Sequence, residues 1–216
     1  PNALYFSDFI KLGENLPRQS EVEKLWAEAS DDDICDILYT SGTTGESKGV
    51  ILTYGQYRAG LAANQQCVPI NDQDRAINFL PFTHIFERAW SYLCISVGAQ
   101  LIVNTYPKEI QDSMRETHPT CMSAVPRFWE KVYTAVKGRM ESSSPVQRKL
   151  MQAALSVGRK RNVYYLGRGK RVPIHLELQY QVYNRTVLSL IRKQLGLENP
   201  HIFPTAGAYV SPEVEE

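Results

Sequence analysis

A chain of 216 residues with 43% apolar and 22% charged residues has a globular composition, far from disorder. At this size roughly 70% of the unfolded surface can be buried without disulfide or metal staples. Lys plus Arg number 24 against 23 Asp plus Glu, a net charge of +1, which lacks the basic excess of a nucleic-acid domain.

Residues 1–30 read as helix and loop, with Ser20-Glu21-Val22-Glu23 a capping box opening a short helix. The acidic run Asp31-Asp32-Asp33 precedes a short apolar strand over 34–40, and a loop leads to a second strand at 49–52. Thr53-Tyr54-Gly55-Gln56 is another capping box, starting a helix that runs to about Cys67. Beyond it the pattern alternates: strand 76–80, helix from His84 to Val97, strand 100–104, helix 109–117 ending before Pro119, strand 120–125. Such alternation predicts an α/β fold with a largely parallel sheet covered by helices. Residues 126–196 are mostly helical. Ser144-Pro145-Val146-Gln147 caps one helix, and Tyr183, Val187, Leu190 and Ile191 fall on one face of another. Ile174, Leu176, Leu178, Tyr180 and Val182 alternate with period two, which also suits a strand; helix is preferred.

The residues from Ala89 to Pro107 carry no charge, close to the ~20 that span a bilayer. Polar interruptions at Ser91, Ser96, Gln100, Asn104 and Thr105, and the break at Gly98, favour a buried helix, a glycine turn and a buried strand. Pro1-Asn2-Ala3-Leu4 has neither the basic start nor the apolar stretch of a signal peptide. Cys35, Cys67, Cys94 and Cys121 never approach a metal-ligand spacing and are expected as buried free thiols, which points to a reducing, cytoplasmic setting. The chain begins without methionine and ends on a helix-start signal, Ser211-Pro212-Glu213; both ends predict an internal fragment.

The passage from Thr40 to Gly49 packs five hydroxyl side chains, three glycines and Lys48 into ten residues. Glycines let successive N–H groups converge on an anion, hydroxyls add donors without bulk, and a lysine supplies a point charge for phosphate oxygens. It is not the Walker A pattern, because Ser47 stands where the second glycine belongs and Gly49 follows Lys48. Composition alone leaves two readings open, a polyphosphate loop and a hydroxyl-rich surface hairpin.

The run Tyr39-Thr40-Ser41-Gly42-Thr43-Thr44-Gly45 through Lys48-Gly49-Val50 resembles the phosphate-binding signature of acyl-adenylate-forming enzymes, a superfamily that includes acyl-CoA ligases, luciferases and peptide-synthetase adenylation domains. Leu80-Pro81-Phe82-Thr83-His84-Ile85-Phe86-Glu87-Arg88 and Val125-Pro126-Arg127-Phe128-Trp129-Glu130-Lys131 narrow the resemblance to long-chain fatty acid–CoA ligases. A fourth passage, Thr205-Ala206-Gly207-Ala208-Tyr209, is similar to the family's adenine-side segment, Tyr209 departing from its small or proline residue. The likeness runs from about Asp33 to the end.

The resemblance implies that residues 1–216 belong to the AMP-binding N-terminal domain of a larger ligase whose C-terminal catalytic domain lies further on. It implies that Thr40, Ser41, Gly42, Thr43, Thr44, Gly45 and Lys48 contact the ATP phosphates. The resemblance further implies that His84 sits near the acyl carboxylate and α-phosphate as the catalytic residue, and that Gly207 and Ala208 line the adenine pocket. The co-substrates implied are a long-chain fatty acid, ATP with Mg²⁺, and coenzyme A, in a two-step reaction through acyl-adenylate. The family's Mg²⁺-holding glutamate lies beyond Glu216, so no metal ligand is assigned and the 216 residues alone are expected to be inactive.

Against this stand plainer readings. A histidine starting an apolar helix is often a hydrogen-bonded structural residue; His118, His175 and His201 are assigned nothing, and no metal cage of His, Cys and carboxylates can be assembled. Eight Lys and Arg fall between Glu141 and Glu177 with no acid. That stretch suits a solvated helix end best, with an anionic membrane surface, coenzyme A phosphates or RNA as functional alternatives. A different adenylating ligase, or a non-catalytic membrane- or nucleic-acid-binding module, completes the set. No nucleic acid is expected as partner, and a peripheral membrane contact stays open.

Overall fold

In the computed structural model, residues 4–14, 16–40 and 45–215 are described, and the chain divides into two units, residues 1–60 and 61–216. The first unit holds helices α1 (Phe6–Gly13) and α2 (Gln19–Glu28) and the antiparallel pair β1 (Ile34–Thr40) and β2 (Lys48–Thr53). Thr53 ends β2 where the capping box predicts. Its N–H donates to Gln56 Oε1 at 2.9 Å and its hydroxyl accepts from Gln56 N at 3.3 Å, which starts α3 (Tyr54–Cys67). The acidic run ties the same corner: Gly55 N donates to Asp31 O at 2.9 Å, Tyr54 N to Asp33 O at 3.1 Å, and Arg58 pairs with Asp31.

The second unit is built on parallel strands, and the fold is α/β. Its pair is β3 (Arg75–Asn78) and β4 (Gln100–Val103), in register from Arg75↔Gln100 to Asn78↔Val103. Two further extended stretches continue the layer through single parallel bridges, Ala76↔Cys121, Cys121↔Ile202 and Ala124↔Thr205. The sequence predicts a full strand over 120–125; the structure gives isolated bridges there, because the ladder alternates between β3 and the 202–205 stretch rather than running along one partner. Apolar clusters of distinct membership pack on this layer. One gathers Ile70, Ala76, Ala99 and Cys121 with Trp90, Leu93 and Cys94 of α4 (Ile85–Ser96). The other joins Ile77, Met122, Ala124 and Leu197 with Met114 of α5 (Ile110–Thr117). Helix α4, Gly98 at φ 78° and β4 thus replace any spanning segment over 89–107, and among the described residues no helix is long and apolar enough to cross a membrane.

After α6 (Pro126–Glu141) comes a helical hairpin. Ser144 caps α7 (Pro145–Arg159) through a full capping box with Gln147. A π turn at Lys160–Tyr165 and a short 3-10 turn lead to Gly169, and the return limb is α8 (Ile174–Tyr183), a π turn at Asn184–Leu188 and α9 (Ser189–Leu195). The period-two segment is therefore helix. The expected common face of Tyr183, Val187, Leu190 and Ile191 breaks up: Val187 is buried and Leu190 exposed, since the wider π turn shifts the phase of every residue after it.

Two other expectations need correction. Ser20 does not cap α2, whose N-cap is Arg18 with no side-chain bond. Glu23 instead accepts from Gln19 Nε2 one helical turn earlier, at 3.0 Å, so the Ser-x-x-Glu pattern lies inside the first turn. None of the four cysteines is in a disulfide, but only Cys94 and Cys121 are buried; Cys67, at the end of α3, is exposed and Cys35 half-buried.

Candidate functional site

Of the phosphate-loop candidates, Thr40 ends β1, Lys48 opens β2 and Gly45 lies between them in the chain. Thr40 and Lys48 are directly paired across β1 and β2, and the Thr40 hydroxyl donates to the Lys48 carbonyl at 3.4 Å, so the ladder closes where the loop begins. Both residues are exposed. Gly45 holds φ 93°, a backbone state that favours glycine. Ser41, Gly42, Thr43 and Thr44 lie outside the described residues. What the hairpin provides is a mouth with one hydroxyl and one ammonium on opposite strands.

The remaining candidates lie in the second unit, just past the carboxyl ends of parallel stretches. His84 follows β3, Pro126 and Arg127 follow 121–124, and Gly207 and Ala208 follow 202–205. Parallel register brings these three connections to one edge, where ligands of open α/β sheets bind. His84 is the N-cap of α4 with extended backbone (φ −98°, ψ 130°); its ring makes no capping bond and is exposed. Gly207 sits at φ 96°, and a Cβ there would meet only Val125 at an ordinary 3.9 Å. Its glycine is therefore required by backbone conformation, not by crowding from the protein.

Underneath His84 lies a carboxylate that sequence reasoning did not single out. Glu87 is fully buried on α4. Its Oε1 accepts from Phe79 N at 3.0 Å and its Oε2 from the Ser123 hydroxyl, so one side chain pins the start of α4 to the ends of β3 and of 121–124. Ser91 donates to the Glu87 carbonyl at 2.7 Å and accepts from Asn78 Nδ2. Burial pushes the Glu87 carboxyl above its ordinary range, against the pull of bonds from Ser123, Leu80 N and Phe79 N. In the sequence Glu87 stands inside the Leu80–Arg88 passage without a role of its own, and a charge on an apolar helix face ordinarily reads as a solvated flank.

The same edge carries an aromatic run. Phe79–Phe128, Phe128–Trp129 and Trp129–Phe203 have ring centroids 5.2, 5.0 and 5.7 Å apart, and Trp129 Nε1 donates to Thr205 Oγ1 at 2.8 Å. Beside it opens a cavity of about 620 Å³ lined by Leu80, Pro81, Met114, Phe128 and Val132, with Arg127 among its walls. Among the described residues, no group of three or more His, Cys, Asp or Glu could hold a metal ion. His118 and His201 are spent elsewhere, on Glu198 at 2.9 Å and on Asp74 at 2.9 Å.

A model of the AMP-binding enzyme family matches residues 4–200. The chain is 28% identical to the long-chain-fatty-acid–CoA ligase ACSBG2 of Gallus gallus, covering 100% of this chain and 29% of that protein. It is 32% identical to the peroxisomal long chain acyl-CoA synthetase 6 of Arabidopsis thaliana, over 86% of this chain and 25% of that protein. Among solved structures, the inhibitor-bound N-terminal domain of FACL13 from Mycobacterium tuberculosis aligns at 26% identity over 48% of this chain and 26% of that one, with a TM-score of 0.44. The chain thus spans about a quarter to a third of the curated relatives it matches.

Proposed function

This chain belongs to the AMP-binding enzyme family, and on that premise we propose that it is part of the N-terminal domain of an ATP-dependent fatty acid–CoA ligase acting on long-chain acids. A carboxylate oxygen of the fatty acid attacks the α-phosphorus of ATP, and the bond to the β-phosphate oxygen breaks, giving acyl-adenylate and pyrophosphate. The thiolate of coenzyme A then attacks the acyl carbon and AMP leaves. Both reactants in the first step are anions, so positioning and charge neutralisation must supply most of the acceleration.

The observation that carries this reading is the hairpin mouth, with Thr40 and Lys48 paired beside a positive-φ Gly45. Its hydroxyl and ammonium suit the departing pyrophosphate, and the His84 ring suits the orientation of the acyl carboxylate. The apolar cavity beside Leu80 and Pro81, with a guanidinium in its wall, matches the chemistry of an acid with a hydrocarbon tail. Mg²⁺ would neutralise charge on the nucleotide phosphates in such a reaction, but the described residues do not assemble a cage for it.

The test uses the intact protein that contains this chain. Palmitate-dependent exchange of pyrophosphate into ATP is expected, and Lys48→Ala should lower it by about tenfold or more, the scale of one lost transition-state contact. Exchange with an aryl acid or an amino acid in place of palmitate overturns the long-chain assignment and leaves another adenylating ligase. No exchange with any acid overturns the reading altogether. The 216-residue chain alone should show none.

A further inference from the structure

Charge in this molecule is strongly segregated. Residues 142–197 hold eleven Lys and Arg and one acid, a net charge of +10 in a chain whose total is +1. The single acid, Glu177, is already taken: Arg161 Nε and Nη2 donate to it at 2.7 and 3.2 Å, and the same guanidinium covers the Tyr180 ring at 4.2 Å. That pair lies on the inward side of α8, next to buried Leu176. The outward side carries Ile174, Leu178 and Val182 at i, i+4 and i+8, exposed by 80%, 59% and 63%. At the hairpin's tip Leu166 is exposed too, and Arg168 and Lys170 stand over the Tyr164 ring at 4.9 and 4.7 Å.

An aliphatic stripe on a helix without exposed carboxylates, next to a cationic turn, is a costly surface in water and a matched one at an anionic lipid interface. We propose that the hairpin formed by α7, α8 and the turn between them docks this protein onto a membrane surface rich in anionic phospholipid, with Ile174, Leu178 and Val182 entering the headgroup boundary and Arg168, Lys170 and Arg171 on the phosphates. Single-stranded RNA is the poorer match, because bases stack on open aromatic faces and here Tyr164 is capped by two cations while the stripe is aliphatic. The proposal goes beyond the ligase reading and stands without it.

Flotation of the intact protein with vesicles of phosphatidylcholine, alone or with roughly one third phosphatidylserine, tests it. Binding is expected to the anionic vesicles, to weaken with salt, and to be slight on the neutral ones. Ile174→Asp with Leu178→Asp, and separately Arg168→Glu with Lys170→Glu and Arg171→Glu, should each lower it about tenfold or more. A fluorophore attached through L178C should shift to the blue on anionic vesicles, which keeps the test decisive if a charge variant folds poorly. Equal binding to both vesicle types, variants that float like the parent, or a fluorophore already in an apolar setting without lipid would each overturn the proposal. Retention on single-stranded RNA that only the cation variant loses would overturn it in favour of nucleic acid.

Discussion

Two buried carboxyls on the second unit respond to pH with opposite sign. Glu87 has its carboxyl raised by burial, so its neutral form is favoured on folding, and that contribution is lost as pH rises from the unfolded pKa through the folded one. Asp74 is also pushed up by burial, but the Thr120 hydroxyl at 2.6 Å, Asn71 N at 2.9 Å and the His201 ring outweigh it and leave the carboxyl below its ordinary range. Its stabilising share is therefore complete above the unfolded carboxylate pKa and lost as pH falls through the lowered one. Urea melts of Asp74→Asn should show a flatter acid limb than the parent. Glu87→Gln should gain on the parent as pH rises from about 4 to 7, because the amide keeps hydrogen-bonding capacity without the ionisation cost. Glu87→Ala strands Phe79 N and the Ser123 hydroxyl and should cost about 3 kcal/mol, from ~1–3 per buried unpaired group. If the acid limb of Asp74→Asn matches the parent, the assignment of that carboxyl fails.

At the level of elements, the sharpest constraint sits at the end of α9. Leu197 N donates to Arg192 O at 2.8 Å and Gly196 N to Lys193 O at 3.2 Å, a Schellman closure with Gly196 at φ 74°. A Cβ on Gly196 would fall onto the Met114 carbonyl at the heart of α5, and backbone cannot retreat as a flexible side chain can. Arg115 Nε meanwhile donates to Gln194 O at 2.7 Å, locking the two helices at that point. Gly196→Ala should lower stability by about 3 kcal/mol or more, combining left-handed strain with overpacking; a shift in the urea midpoint worth less than about 1 kcal/mol would falsify the close approach. The sequence marks this helix end by its glycine but not the neighbour, since Met114 is far away along the chain.

The same distinction separates the features that could be read in advance from the others. Thr53-Gln56 and Ser144-Gln147 form their capping boxes because each sits at a boundary that fixes where the helix starts, the end of β2 and the turn after α6. Ser20-Glu23 has the pattern without that punctuation, and the helix starts earlier. Strand and helix order and the glycine turn at Gly98 are local and legible. Glu87 is not, because its partner Ser123 lies 36 residues on; nor is the phase of Leu190, because a π turn leaves no mark in hydrophobic spacing. Of the candidate site, Thr40, Lys48, His84 and Gly207 are assigned by motif, whereas Glu87, which shares His84's motif, gains its anchoring role only from packing.

Over the whole molecule, burial is as uneven as charge. Both apolar clusters belong to residues 61–216, while among the described residues of the first unit Leu38 is the one hydrophobic that is buried. Helices α1 and α2 have no buried residue and leave Phe6, Phe9, Leu25 and Trp26 largely exposed. Isolated helices of 8 and 10 residues fall below the ~12–15 that hold together in water, and what stabilises helices in proteins is tertiary packing of an apolar face. Local opening free energies should therefore differ sharply along the chain. In hydrogen exchange on the 216-residue chain, amides of α1 and α2 should exchange within seconds. Those of β3, and the Ile77 and Ala124 amides bonded into the parallel layer at 3.2 and 2.9 Å, should last at least about a thousandfold longer, the factor that ~4 kcal/mol of added opening cost gives. In a longer polypeptide that supplied a partner for Phe6, Phe9 and Trp26, protection of α1 and α2 should rise while β3 is unchanged. Slow exchange of α1 in the short chain would mean that its apolar face is already covered, and that the first unit holds a core these side chains do not reveal.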